Sequence, residues 1–182
     1  MVGARLTPAG LHRLLPMPQD ALVDRVVALD SIWSAWTRRT ADQVSDARTP
    51  HAALESFEHA IGALVRLTSR PSADGPVDQA IRVLRARAGN ASIGRLAAAA
   101  GVSRRHFERC FRDRVGLPPR LYARIVRFQG VFQALGTESG AALAARYGYA
   151  DQAHLVREIR RFAGTTPSVL ASADGLTTFF RQ

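Results

Sequence analysis

Apolar residues recur at spacings of three and four along most of the chain, and glycine, proline, serine or aspartate marks the ends of the recurrent stretches. That period is helical. Val2 to Leu6 is the exception; it alternates weakly and reads as a short strand. Thr7-Pro8 offers a side-chain cap and a first-turn proline, opening a short helix that ends near Pro16. Residues 19–29 carry no clear period. Asp30 is read as the cap of a helix bearing Ile32, Trp33 and Trp36. Thr49-Pro50 opens another, with Leu54, Phe57, Ile61, Leu64 and Val65 on one stripe. Residues 68–76, Thr-Ser-Arg-Pro-Ser-Ala-Asp-Gly-Pro, have the composition of a linker.

After the linker the pattern stays helical. Val77, Ile81 and Leu84 mark a helix stopped by Gly89-Asn90, and Ser92 caps the next. Helices are predicted at 104–115, at 139–147 and at 152–163, with a last short one from Pro167. Pro118 and Pro119 open a long helix whose Leu121, Ile125, Phe128, Phe132 and Leu135 step by four and three, and Gly136 ends it. The tail around Thr177 to Phe180 has no clear assignment.

Within this half one pattern occurs twice. The first copy runs Leu96-Ala97, Gly101-Val102-Ser103, Phe107 and Phe111, and closes on Gly116 and Pro119. The second runs Leu143-Ala144, Gly148-Tyr149, Asp151, Leu155 and Ile159, and closes on Gly164 and Pro167. The second turn is one residue longer, and every later landmark shifts by that residue. The physics is that of a helix-turn-helix. A first helix offers Leu and a small Ala for packing, a glycine turns the chain at positive φ, and Ser103 or Asp151 caps the second helix.

Charge separates the two halves. Residues 1–76 carry eight Arg against eight Asp plus Glu, whereas residues 77–172 carry sixteen Arg against six acids. The whole net charge of +10 therefore sits on the half that holds the repeats. That is the footprint of a phosphate-binding surface. All 25 basic residues are arginine, as in the coding bias of a GC-rich genome, so position weighs more than number. The single cysteine, Cys110, excludes a disulfide framework and a multi-cysteine metal site. No run of eighteen apolar residues and no signal-peptide pattern occurs, so a soluble, cytoplasmic protein is expected.

Residues 77–172 resemble the DNA-binding domain of AraC-type bacterial transcription regulators. The resemblance is carried by Gly148-Tyr149-Ala150-Asp151-Gln152-Ala153-His154-Leu155 and by Phe162-Ala163-Gly164-Thr165-Thr166-Pro167. Ile159 stands where that family usually has Phe, and Ala163 is smaller than common. The resemblance implies an all-α fold, a seven-helix double helix-turn-helix domain preceded by a small, mostly helical N-terminal segment. Residues 1–67 resemble the helical end of a sensor domain, without the β-rich part that usually precedes it. The expected layout is thus 1–67 sensor remnant, 68–76 linker, 77–172 DNA-binding domain and 173–182 tail.

The helical turn of ~100° per residue sorts the side chains of each second helix. Phe107, Cys110, Phe111 and Val115 fall on one face of the first; Arg105, Glu108, Arg109 and Arg112 fall opposite. In the second, Leu155, Ile159 and Phe162 point inward. Ala153, Val156, Arg157 and Arg160 point outward, and Gln152 sits near the leading end. The base-reading positions implied by the resemblance are Arg105, Glu108 and Arg109, then Gln152, Ala153, Val156 and Arg157. The chemistry fits: Arg forks onto guanine, Gln onto adenine, Glu accepts from cytosine, and Ala or Val meets the thymine methyl. Ser103, Arg104, Arg120, Asp151 and Arg161 are candidates for phosphate contact.

The expected function is a sequence-specific transcription regulator that reads two consecutive major grooves of double-stranded DNA as a monomer or weak dimer. RNA polymerase is a partner if the protein activates, and a small-molecule effector stays open. No cofactor, metal, membrane contact or enzymatic activity is expected. His106 and His154 are expected to pack or bond locally, and Trp33 and Trp36 to fill a small core. Two other readings stand beside this one. The helices can serve as a protein-interaction module steered by charge. Or the chain can be an enzyme using Cys110, as in DNA-repair alkyltransferases fused to related domains; its place on the core side of a helix argues against that.

Overall fold

The structure is a computed structural model, and residues 3–15, 17–68 and 75–172 are described. Among them it is all-helical, as expected. The helices are α1 (Pro8–Leu14), α2 (Asp30–Ser45), α3 (Pro50–Thr68), α4 (Pro76–Ala86) and α5 (Ile93–Ala99), then α6 (Arg104–Val115), α7 (Pro119–Ala134), α8 (Gly140–Arg146), α9 (Gln152–Ala163) and α10 (Pro167–Ala171). A single 3-10 turn, Gln19–Leu22, follows α1. Residues 3–6 form no strand, which corrects that expectation, and Val2 lies outside the described residues. So do Pro16, residues 69–74 of the expected linker and the whole of the expected tail.

The chain divides into two compact units. One is Met1–Gly75 with Arg109–Leu117; the other is Pro76–Glu108 with Pro118–Gln182.

In the first unit α2 and α3 pair as a hairpin and α1 lies against α3. Thr7 caps α1 through Gly10 N at 3.1 Å, and Thr49 caps α3 through Ala52 N at 3.1 Å. Asp30 does not cap α2. It lies in the first turn, Leu29 holds the cap position, and no side chain bonds there. The helix breaks at Trp33, which has non-helical backbone angles. That break lets Trp33 meet Trp36 edge-on at 6.1 Å, while Trp36 Nε1 donates to Ala60 O at 3.1 Å. Both tryptophans are half-buried, so they pack the hairpin. The stripe on α3 is only partly used. Leu64 is buried and Phe57 and Ile61 half-buried, but Leu54 and Val65 are exposed, because the small hairpin has too little mass to cover them.

The second unit has the larger core. Phe128, Val131, Phe132, Leu143, Tyr147, Tyr149, Leu155, Ile159 and Leu170 form one buried cluster. Ile159 is fully buried there, so the smaller side chain is accommodated in the core. The long helix α7 packs on both α4 and α9. It therefore buries more than the one predicted stripe. Tyr122, Ala123 and Val131 are buried along with Phe128 and Phe132, whereas Leu121, Ile125 and Leu135 are half-buried. Helices α4 to α10 match in number the seven that the resemblance implies. Gly101 and Gly148 turn the chain in the two repeats at the same φ of +68°, a region where a side chain would be strained.

Candidate nucleic-acid interface

Each repeat builds its second helix from a cap and a buried row. Ser103 Oγ accepts from His106 N at 3.3 Å and so opens α6. Phe107 and Phe111 are buried at 1% and 0% exposure, and Cys110 and Val115 are half-buried on the same side. Arg105, Arg109 and Arg112 are exposed on the other side, where the periodicity put them. Glu108 is half-buried, and its Oε1 accepts from Arg104 Nε at 2.9 Å. A base-reading candidate and a phosphate candidate are thus joined in one i,i+4 pair. A ligand engaging either residue would have to break that pair.

In the second repeat Asp151 Oδ1 accepts from His154 N at 2.6 Å and opens α9. Leu155 and Ile159 are buried and Phe162 half-buried, while Ala153, Arg157 and Arg160 are exposed. Gln152 is exposed, but its carboxamide leans over the start of α8: a Cβ at Gly140 would lie 2.8 Å from Gln152 Nε2. Val156 is half-buried, and with Gln152 it borders a cleft of ≈ 230 Å³ between the end of α7, α8, α9 and α10. Reaching a base would require Gln152 to swing off Gly140.

Of the phosphate candidates, Ser103, Arg104, Arg120, Asp151 and Arg161 are all exposed. They differ in sign. Serine caps its helix without charge, so the α6 end keeps its affinity for anions. The Asp151 carboxylate repels a phosphate at the α9 end. Arg120, in the first turn of α7, is the cleaner cation of the set.

The long helix holds polar chemistry that its apolar stripe conceals. Arg124 forks onto Glu158 of α9, Nε to Oε2 and Nη2 to Oε1, both at 2.8 Å. Its guanidinium also lies 5.2 Å over the Phe162 ring. The hydrogen bond from Arg124 holds the Glu158 carboxyl below its usual range and raises Arg124 in turn. Burial pushes the Tyr149 hydroxyl up to about 12, against the opposing charge of Arg127. Arg124 and Arg127 were missed as structural groups in the sequence. Two arginines three apart inside an apolar helix were the available signal. Glu138 of the α7–α8 loop pairs with Arg146, which also covers Tyr147.

His154 bonds and packs locally as expected. Ala150 N donates to its Nδ1 at 3.4 Å, and its ring meets Tyr149 edge-on. Among the described residues no group of three His, Cys, Asp or Glu is placed to hold a metal, and no helix is long and apolar enough to cross a membrane.

Residues 96–173 match the family model described as a helix-turn-helix domain. The match begins inside α5 and runs past α10, so it takes in the second helix of the first repeat, the long helix and the whole second repeat. No curated protein and no solved structure matches the chain.

Proposed function

We propose, from the match of residues 96–173 to a helix-turn-helix family model, that this chain carries an AraC-type DNA-binding domain of a transcription regulator and reads DNA by sequence, in two consecutive major grooves. The observation that carries the reading is the matched sorting of α6 and α9. Each buries one apolar row and exposes arginines opposite, on the half of the chain that holds the net positive charge. Arg105, Arg109, Arg112, Arg157 and Arg160 read bases, with Ala153 and Val156 against thymine methyls. Glu108 and Gln152 join them on leaving Arg104 and Gly140. Ser103, Arg104, Arg120 and Arg161 hold phosphates and fix register; the Asp151 end contributes only its backbone amides.

The long helix is of the right size for two grooves. Its 16 residues span about 24 Å at ~1.5 Å each. Consecutive major grooves on one face lie about 34–36 Å apart, so the offset of each recognition helix supplies the rest. One chain then suffices to occupy the site, as a monomer or weak dimer on nucleoid DNA in the cytoplasm. RNA polymerase is its partner where it activates, and any effector acts through the first unit.

Methylation protection on a duplex selected by the protein tests the reading. Two protected major grooves about 10–10.5 base pairs apart are expected. Arg109→Ala should lower specific affinity by about 1–3 kcal/mol and relax one or two base preferences. Arg120→Ala should weaken all sequences alike and reduce the salt slope by about one. Protection of one groove alone, unaffected by Arg157→Ala, removes the second repeat from DNA reading. Equal, sequence-blind losses from Arg109→Ala and Arg120→Ala favour the charge-steered interaction module instead.

A further inference from the structure

Ala123, Arg127 and Gly130 are spaced four and three apart, so they share one face of α7. Two parts of the domain meet on that face. The first is the loop that ends α4 and begins α5, and so starts the first repeat. Gly89 of this loop is pressed so closely on the Ala123 carbonyl that no Cβ fits, and Arg127 Nη2 donates to Gly89 O at 3.3 Å. The second is the second repeat. Tyr147 packs on Gly130, and Arg127 Cζ lies 5.3 Å from the centre of the Tyr149 ring.

The two parts also touch directly. The Asn90 carboxamide fills the space that a Cβ of Gly148 would take, at the turn of the second repeat. Apolar faces alone permit small slides. A guanidinium bonded to one loop and stacked on the ring of another fixes both against the same helix position. The arrangement is not the best for stability, since Arg127 Nε is buried without a hydrogen-bond partner and that costs free energy.

We propose that Arg127, assisted by Asn90, is a positioning residue that sets the phase between the two recognition helices, and so the spacing of base contacts the protein accepts. This rests on the two-groove reading above. One base pair added between the grooves rotates one against the other by roughly 34–36° and moves it about 3.4 Å. A clamped domain rejects such a site; a loosened one follows it.

The test uses the full chain and a duplex that the unmodified protein enriches from a random pool. The same duplex is then prepared with one base pair inserted or deleted between the protected grooves. The unmodified protein should lose about tenfold or more on either change. Arg127→Met should bind the parent duplex several-fold more weakly, yet lose only about threefold or less on changing the spacing. Arg127→Lys keeps a cation over Tyr149 and should restore most of the penalty. Asn90 is exposed, so Asn90→Ala is a second route if Arg127→Met fails to fold, and it should shift the penalty the same way. Helical circular dichroism and a cooperative melt establish folding. Folded Arg127→Met and Asn90→Ala proteins that keep the full penalty overturn the clamp. An unmodified protein indifferent to spacing removes the two-groove reading, and the clamp with it.

Discussion

The two repeats carry one pattern but depend on different parts of the chain. The second lies within one unit: Leu143, Ala144, Tyr147, Tyr149, Leu155 and Ile159 share a single buried cluster with Phe128, Val131 and Phe132 of α7, and the fork of Arg124 on Glu158 closes it. The first is divided. Its helix α6 is continuous from Arg104 to Val115, yet Arg109–Leu117 group with the N-terminal residues and Arg104–Glu108 with the rest. The seat of that second part is visible at Gly116, where a Cβ would lie 2.9 Å from Val23 Cγ2 and 3.0 Å from the Gln19 carbonyl. The 3-10 turn after α1 thus grips the end of α6. A repeated motif need not mean a repeated fold unit. One copy packs wholly within one unit, on the long helix beside it; the other takes part of its support from residues more than ninety positions earlier in the chain.

The sharpest way to break this contrast is to empty each core in turn. Phe111 and Ile159 are both at 0% exposure. Phe111→Ala should cost about 3–5 kcal/mol and Ile159→Ala about 2–5 kcal/mol. The sizes overlap; the locations should not. Hydrogen exchange should show α1 to α3 opening in Phe111→Ala and staying protected in Ile159→Ala. Equal opening of α1 to α3 in both variants would show that the two repeats do not differ in what supports them.

Gly116→Ala and Gly101→Ala probe the same contrast more gently. Both glycines have positive φ, +85° and +68°. Nothing lies within 4 Å of a Cβ at Gly101, so Gly101→Ala should cost only the backbone strain, about 1–2 kcal/mol. At Gly116 the Cβ also meets the Gln19 carbonyl, which is backbone and cannot swing away. Gly116→Ala should therefore cost about 1 kcal/mol or more beyond that strain, the usual penalty of overpacking. Adding Val23→Ala removes one obstacle and should recover part of the loss. Thermal melts that rank the two glycines equally would deny the grip at Gln19 and Val23.

What sequence could reveal follows the same division. Cap, turn glycine and buried row are local properties of eight to twelve residues, so α6 and α9 and their exposed arginines were legible from period and punctuation alone. The burial of Phe111 was legible too, but not its neighbours. Nothing in a helical period says that the far end of α6 meets Gln19 and Val23, because residues 19–29 have no period to read. On α7 the stripe was drawn as one face, and the helix buries more, since it serves both α4 and α9. Arg124 and Arg127 were hidden for a related reason. A charged residue in an apolar helix reads as a solvated position until its partner, Glu158 or Gly89, is known. Leu54 and Val65 fail in the opposite sense: the stripe is real, but the hairpin of α2 and α3 leaves those positions open.

The caps give a smaller, cleaner comparison. Ser103→Ala and Asp151→Ala each remove one first-turn hydrogen bond and should cost about 1 kcal/mol in stability. Their effects on DNA should diverge. Losing Asp151 also removes a negative charge beside the proposed phosphate contacts, so at low salt Asp151→Ala should bind DNA as tightly as the unmodified protein or more so. Ser103→Ala should bind less tightly, because it frays a neutral helix end that favours phosphate. Parallel losses of affinity in both variants would mean that the helix ends act through fold stability alone.

The smallest expected effect is one of pH, and it belongs to the second repeat. Glu158 is held below its usual titration range by the hydrogen bonds from Arg124, with the Arg124 charge adding to them. A carboxylate whose folded value is depressed favours folding once the pH exceeds its unfolded value. That contribution is lost as the pH falls through the lower folded value. It should therefore be constant near neutral pH and fade in the acid range, below the ordinary carboxylate value of about 4.3. Partly exposed ion pairs contribute on the order of 0.5–1 kcal/mol, so the whole-protein signal is small and other carboxyls titrate alongside. The difference between the unmodified chain and Glu158→Gln isolates it. Denaturant melts should show Glu158→Gln less stable at neutral pH, with the gap closing as the solution is acidified. Hydrogen exchange should place the acid-sensitive loss in α9 and leave α5 unchanged. A gap that stays constant down to pH about 3 would mean that the fork acts through shape and packing on Phe162, not through charge, and the second repeat would then owe its closure to its core alone.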